Sequence, residues 1–160
     1  MRTTIAAKLY FSLGLMAALV VGSAALTLFN TTQARKNYER LYHNTRGAVL
    51  LADAQNALWQ LRYGFPQFMV GDATARATIV ADESKWYKQI NDTLAAYANL
   101  DNSLDEKRGL AALREIYRKY VEARPLWFTL YGGGKTAEAA DWRAKTTTPF
   151  GAATVNAFHL

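Results

Sequence analysis

Residues 51–68 read LADAQNALWQLRYGFPQF, and their apolar side chains recur at alternating spacings of three and four. This spacing places them on one side of an α-helix, as the a and d positions of a bundle or coiled coil. No helix-breaking residue precedes them as far back as residue 30. The stretch therefore predicts the first long helix of an all-α bundle. Its a and d residues, which we call the seam, are Leu51, Ala54, Leu58, Leu61, Phe65 and Phe68.

Two sets of capping residues mark where the next helices begin. Gly71 and Asp72 predict a helix end followed by an N-cap, because glycine suits the position after a helix and aspartate the position before one. Ser103, with Glu106 three residues later, predicts a capping box that opens a third helix. The second helix is therefore expected between residue 73 and about residue 99.

Glycines 132–134 predict the end of the third helix, and a fourth is expected from Thr136 to the last residue. We expect Pro149 either to bend this helix or to restart it after the threonines 146–148. Helices joined by short connections pack antiparallel to their neighbours. The sequence therefore predicts an antiparallel, up-down-up-down four-helix bundle.

An uncharged run, Leu9–Phe29, precedes the bundle and is long enough as a helix to span about 30 Å of hydrocarbon. Arg2 and Lys8 lie before it, and no acidic residue occurs before Glu39. Because positive charge stays on the cytoplasmic side, the remainder of the chain is expected on the outer side of the membrane. The predicted parts are a cytoplasmic N-terminus (1–8), a single transmembrane helix (9–29) and an external four-helix bundle (30–160).

The alternative interpretation of this run is a cleaved signal peptide, with a cleavage region at residues 22–25. The run is longer than the apolar part of a typical signal peptide, which favours an uncleaved anchor. Gly14, Ala18 and Gly22 recur every four residues and form a small-residue ridge on which two spans can pair. The alternative is that these small residues simply face lipid.

Composition excludes several functions. The chain has no cysteine and only two histidines, His43 and His159, and it lacks the Glu-x-x-His pairs of di-iron bundles. We find no catalytic residue, no metal site and no cofactor motif. The net charge of +6 would suit a nucleic-acid partner, but a bundle outside the membrane is in a different compartment from the nucleic acids of the cell. We therefore expect no enzyme and no nucleic-acid partner.

Most of the aromatic residues fall where four helix ends meet, at the end of the bundle far from the membrane. Aromatic walls with a few cations suit a small anionic ligand, although large side chains can also simply fill the core. Gln55, Trp59 and Arg62 form a stripe beside the seam, and Arg62 has the geometry to hold a carboxylate. The threonines 146–148 add hydroxyls near a proline. The alternative is a surface arginine paired with an acid, and threonines that only cap a helix.

A membrane span, a long first helix and an antiparallel bundle, in that order along the chain, resemble the N-terminal sensor module of methyl-accepting chemotaxis proteins. The resemblance is to the aspartate and serine receptor type. Four segments carry the resemblance: the span Leu9–Phe29, NALWQLRYGFPQFMVGD (56–72), EARPLWFTLYGGGKTAEAADWRAKTTTPFG (122–151) and AATVNAF (152–158). Together they cover nearly the whole chain. Their motifs are helix patterns rather than an invariant signature.

The resemblance implies that residues 30–160 are a periplasmic sensor domain, anchored in the inner membrane. It also implies a homodimer that binds an amino acid, an organic acid or a periplasmic binding protein. Arg62 on the first helix, and Thr147, Thr148 and Phe150 on the fourth, match the ligand-binding positions by approximate place. Receptors of this family signal through a second membrane helix into a methylated coiled coil. We expect this chain to be truncated before that half, with an incomplete fourth helix. The alternative is a membrane-anchored structural or protein-interaction bundle without a small-molecule ligand.

Overall fold

The computed structural model describes residues 5–159, without the side chains of Ala6, Ala7, Lys8, Ser12, Arg40 and His43. Arg2 and the Lys8 side chain, on which the predicted orientation depends, lie outside the described residues. Throughout the described range, every regular element is an α-helix, which confirms the all-α class. The helices are α1 (Ile5–Val70), α2 (Ala73–Ala98), α3 (Leu104–Gly132), α4 (Thr136–Lys145) and α5 (Thr147–Asn156).

The chain divides into two units, Met1–Asn44 and Thr45–Leu160. In the first unit, the apolar side chains of α1 are exposed; Leu13 is 64% exposed and Leu19 is 65% exposed. The hydroxyls of Thr27 and Thr31 donate to carbonyl oxygens one turn earlier, at 2.8 and 2.7 Å. The helix contains an 18-residue window with a mean hydropathy of 2.0 and no buried residue. Its length and composition are thus sufficient to cross a membrane.

The second unit has its own apolar core, built from the faces that the periodicity predicted. On α1, Ala54 and Leu58 are fully buried, whereas Leu51, at the start of the predicted seam, is half-buried. The seam is therefore confirmed from Ala54 onward. The other helices contribute the following buried apolar residues: Ile90, Leu94 and Tyr97 from α2, Leu110, Leu113, Tyr117, Tyr120, Trp127 and Phe128 from α3, and Ala139 from α4.

The predicted caps of α2 and α3 are both present. The Asp72 side chain accepts a hydrogen bond from the backbone amide of Ala75 at 2.8 Å. Ser103 accepts from the amide of Glu106, and the Glu106 carboxylate accepts from the Ser103 amide at 2.7 Å. The side chains of Asp72, Ser103 and Glu106 thus accept from backbone amides that the start of a helix leaves unpaired.

The fourth helix of the bundle is interrupted, and here the structure corrects the prediction. The break lies at Thr146 (φ −130°, ψ −79°), and α5 restarts at Thr147 rather than after the threonines. Pro149 has no amide hydrogen for the carbonyl of Lys145 and its ring crowds that carbonyl, so the helix breaks one turn before the proline. Pro149 itself lies in the first turn of α5, where no amide donor is needed. The helix ends at Asn156, short of the last residue.

The turn between α3 and α4 depends on Gly134. Its φ of 79° lies in the left-handed region, and every other described glycine has φ outside it. The amide of Gly134 donates to the Tyr131 carbonyl, and the amide of Lys135 donates to the Leu130 carbonyl at 2.9 Å. This is the Schellman arrangement, which satisfies the last carbonyls of a helix and reverses the chain.

Replacing Gly134 with alanine should destabilise the protein by about 1 kcal/mol, because a Cβ is unfavourable at positive φ. The matched control is Gly132→Ala, since Gly132 is helical and its added Cβ would only touch the Phe68 ring at 3.5 Å. This control should be neutral or slightly stabilising. Urea unfolding of the detergent-solubilised chain, followed by circular dichroism, measures both. Equal stabilities of the two variants would contradict the role of Gly134.

Candidate functional site

The two chain reversals, at Gly71 and at glycines 132–134, lie at one end of the bundle, which we call the glycine end. Aromatic rings fill its centre. The Phe65 ring meets the Trp127 ring edge-on at 4.5 Å between centroids, and the Trp127 ring stacks on Tyr131 at 5.1 Å. Phe65 and Trp127 are buried. At these positions the aromatic residues form core, as the alternative interpretation of the aromatic zone proposed.

A buried arginine lies at the centre of this end. Arg124 is 0% exposed, and its Nε donates to Glu83 Oε1 at 2.8 Å. Its Nη2 donates to the same oxygen and to the backbone carbonyl of Leu61, the latter at 2.7 Å. Its Nη1 donates to the Tyr120 hydroxyl. One guanidinium group therefore joins α1, α2 and α3.

The surroundings of this ion pair complete its hydrogen bonding. The Tyr87 hydroxyl donates to Glu83 Oε2. Burial raises the pKa of Tyr87, with the neighbouring Glu83 carboxylate adding to the effect, so the hydroxyl remains a donor at neutral pH. Gly64 lies beside the guanidinium, where an added Cβ would make an ordinary van der Waals contact of 3.5 Å with Arg124 Nη2. The Tyr117 hydroxyl is also buried and has no hydrogen-bond partner among the described residues.

Sequence reasoning did not predict the Arg124–Glu83 pair. One signal was present: Glu83 occupies the apolar register of α2, in line with Ile79, Trp86 and Ile90. An acid at a core position requires a buried cation. Nothing in the sequence says which of the many arginines supplies it, because the pairing depends on how two helices pack.

The predicted residues of α1 lie together at the surface. Arg62 is half-buried, and its guanidinium carbon is 4.9 Å from the centre of the Trp59 ring. Gln55 is half-buried one turn before Trp59. Arg62 also reaches α5, because a Cβ added at Gly151 would lie 2.9 Å from its Nη1. Within residues 5–159, Arg62 forms no ion pair.

The predicted residues of α5 lie in different environments. Thr147 is 3% exposed, and within residues 5–159 its hydroxyl has no hydrogen-bond partner. Thr148 is exposed and lines a cavity of about 370 Å³ together with Arg143 of α4. Phe150 is half-buried and packs on the core. Of the predicted set, the structure therefore brings Arg62 against Trp59 and against Gly151, the neighbour of Phe150. Thr148 lines a cavity with Arg143, one of the cations of the predicted aromatic zone.

The chain combines a helical bundle with an apolar helix of spanning length and a half-buried arginine that no described carboxylate neutralises, which fits a membrane-anchored ligand-sensing domain. The model of the family described as TarH, the Tar ligand binding domain homologue, matches residues 1–157, and the chain belongs to that family. The resemblance to the aspartate and serine type of chemoreceptor is thereby confirmed, and the family is one of sensors rather than enzymes. No curated protein and no solved structure matches the chain.

The buried pair yields a stability test. Arg124→Met should cost about 3–5 kcal/mol, because it leaves the Glu83 carboxylate buried without its cation. The double variant Glu83→Leu/Arg124→Met should recover most of this loss, since neither new side chain needs a polar partner. Urea unfolding monitored by circular dichroism gives the values.

Arg118→Met is the matched control, because Arg118 is 54% exposed and its pairs with Glu115 and Glu122 are solvated. We expect no measurable change in its unfolding midpoint. The assignment fails if the double variant is as unstable as the single one.

Proposed function

We propose that this chain is the ligand-sensing input domain of a chemoreceptor-like transducer and that Arg62 binds the carboxylate of a small amino or organic acid. The observation that carries the proposal is the environment of Arg62, namely its burial and its lack of a described acidic partner. It is half-buried between Trp59 and α5, and among the described side chains no carboxylate neutralises it. A partly desolvated guanidinium with free donors is suited to bidentate binding of a carboxylate.

The remaining ligand contacts are proposed around this arginine. Gln55 and Trp59 flank it on α1, and Thr147, Thr148 and Phe150 supply the α5 side. The buried Thr147 hydroxyl without a partner supports this assignment, because an unsatisfied donor is available to a ligand once α5 shifts.

The surface next to Arg62 suits a second protein chain. The Trp59 and Tyr63 rings lie 6.3 Å apart and are 38% and 57% exposed. Exposed aromatic pairs are enriched in protein interfaces. We therefore propose a homodimer that pairs through this face and, in the membrane, along the ridge Gly14, Ala18 and Gly22. Gly14 and Gly22 support the second contact, since the space around each is open.

The same aromatic face is the observation that favours the second candidate, a membrane-anchored protein-interaction bundle. In that case the partner of Trp59 and Tyr63 is a different protein, such as a periplasmic binding protein, and no small molecule is needed. The two candidates differ in whether a free ligand stabilises the isolated chain.

Ligand binding is proposed to act by shifting α5 relative to α1. Buried ionic hydrogen bonds hold α1, α2 and α3 together through Arg124. In contrast, the ion pairs of α4 among the described residues, Lys135–Glu138 and Lys145–Asp141, stay within that helix. The connection of α4 to α3 includes one hydrogen bond, from Trp142 Nε1 to the Ala123 carbonyl at 2.8 Å. A helix held mainly by apolar contacts can slide between two packings, and a ligand then selects one of them.

The proposed arrangement in the cell is an inner-membrane anchor at residues 9–29, a cytoplasmic N-terminus at residues 1–8 and a periplasmic domain from residue 30 onward. The exposed apolar stretch of α1 supports the anchor, and the lysine and arginine ahead of it support the orientation.

Binding is tested with the full chain in lipid nanodiscs by calorimetry and thermal unfolding, using aspartate, serine, malate and succinate as probes. We expect at least one probe to bind and to raise the unfolding temperature. Arg62→Gln should weaken that binding at least tenfold, which is about 1.4 kcal/mol, because the amide cannot replace a charged bidentate donor.

Arg108→Gln is the matched control, since Arg108 is exposed at the other end of α3 and pairs with Asp105. It should bind the probe as the native chain does. If no probe binds, or if the Arg62 variant binds equally well, the small-ligand proposal is wrong and the interaction bundle is favoured.

Topology is tested by labelling, because the chain has no cysteine of its own. A membrane-impermeant maleimide applied to intact spheroplasts should label Lys135→Cys, which is exposed in the turn before α4. Lys8→Cys should react only after the membrane is opened. The reverse pattern would exclude a periplasmic bundle, and release of the labelled chain in soluble form would indicate a cleaved signal peptide.

A further inference from the structure

A second arginine at the glycine end lies beside an open cavity. The cavity has a volume of about 370 Å³, within the range of small-molecule sites. It is formed within a single copy of the chain, by side chains of α1, α3, α4 and α5. The residues that line it are Met69, Trp127, Tyr131, Thr136, Ala140, Arg143, Ala144 and Thr148.

The charge of Arg143 is not neutralised by the protein within residues 5–159. Its guanidinium carbon lies 5.3 Å from the centre of the Phe65 ring, and its Nη1 lies 3.7 Å from the Met69 sulfur. The acidic residues of its own helix pair with other cations: Asp141 with Lys145 at 2.7 Å, and Glu138 with Lys135. Arg143 also lies 6.0 Å from the centre of the Trp127 ring, so its contacts are two aromatic rings and a thioether, all weak acceptors compared with a carboxylate.

Arg76 is a second cation near the cavity, and its hydrogen bonds go to backbone carbonyls rather than to a carboxylate. The Arg76 guanidinium lies 5.6 Å from the centre of the Tyr131 ring, on the cavity wall. It donates to the backbone carbonyls of Phe68 and Met69, at 2.8 and 3.4 Å. Among the described residues that line the cavity there is no carboxylate. An anion entering it would therefore meet Arg143 and no described acidic side chain, with Arg76 close behind the Tyr131 ring.

The other lining groups define the remainder of the ligand. Trp127 and Tyr131 offer ring surfaces, and Ala140 supplies a small side chain that leaves the volume open. The hydroxyls of Thr136 and Thr148 add two polar contacts. The cavity thus has one strong anion-binding group, two weak polar groups and a mostly apolar wall, which is the composition of a site for a small, partly apolar ligand.

From these features we infer that the Arg143 cavity binds a compact monocarboxylate with an aromatic or branched aliphatic body, with one ligand in each chain. The carboxylate pairs with Arg143, and the apolar body lies against Trp127 and Tyr131. This site is separate from the Arg62 site, and the inference does not depend on the function proposed for Arg62, although Thr148 is named in both.

The test uses the full chain in lipid nanodiscs and calorimetry with benzoate and 3-methylbutanoate. Benzamide is the matched neutral probe for benzoate. We expect at least one carboxylate to bind with a stoichiometry of one per chain and benzamide to bind at least tenfold more weakly. Arg143→Gln should weaken carboxylate binding at least tenfold, whereas Arg108→Gln, at an exposed arginine paired with Asp105, should leave it unchanged.

Ala140→Phe is the second variant. Ala140 is exposed on α4, so a larger side chain there fills the cavity without entering the core or removing a charge. Ala140→Phe should abolish carboxylate binding while circular dichroism shows an unchanged helix content. This variant tests the cavity even if Arg143→Gln does not fold.

Three results would overturn the inference: neither carboxylate binds the native chain, binding survives in Ala140→Phe, or binding survives in a folded Arg143→Gln. Loss of benzoate binding in Arg62→Gln with retention in Arg143→Gln would assign the anion to Arg62 instead. That result would overturn this inference and leave the proposed function standing.

Discussion

The packing of the second unit depends on the hydrogen bonds of one buried cation. Arg124 has no exposed surface, so its guanidinium must find its hydrogen-bond partners inside the protein. It donates four hydrogen bonds, to Glu83, the Tyr120 hydroxyl and the carbonyl of Leu61, which come from all three of the first helices. Because a charge buried without partners is very unfavourable, helix positions that break this arrangement are excluded. The pair thus fixes the register of α1, α2 and α3 more strictly than apolar contacts alone.

The fourth helix is outside this constraint, and the features suited to ligands lie along its boundary. Arg62 faces α5 at Gly151, and Arg143 faces α1 at Met69. Each is half-buried, and neither has a carboxylate partner in the part of the chain that the structure describes. The break at Thr146 separates α4, which carries Arg143, from α5, which meets Arg62. Ligands bound at these two arginines would therefore act on different halves of the same interrupted helix.

The local features of this fold could be predicted from the sequence, because short-range chemistry determines them. The seam through Leu58, the caps at Asp72 and Ser103 and the glycine stop all follow from periodicity or from a hydrogen bond spanning three residues. The restart of the fourth helix was placed two residues too late, because a proline disturbs the residues before it rather than those after it. The Arg124–Glu83 pair and the Arg143 cavity depend on long-range packing, for which the sequence has no periodic signal.

The contrast among the arginines supports a sensory rather than a purely structural bundle. Arg124 shows how the protein treats a cation that serves the fold: it is fully buried, and an acid, a hydroxyl and a backbone carbonyl satisfy it. Arg62 and Arg143 lie in partly desolvated sites where no described carboxylate pairs with them. The folded state is therefore less stable than it would be with an acid beside each arginine. Residues that lower stability in this way are characteristic of binding sites, where the missing partner is the ligand. The arrangement of charges, more than the bundle itself, thus argues for anion sensing.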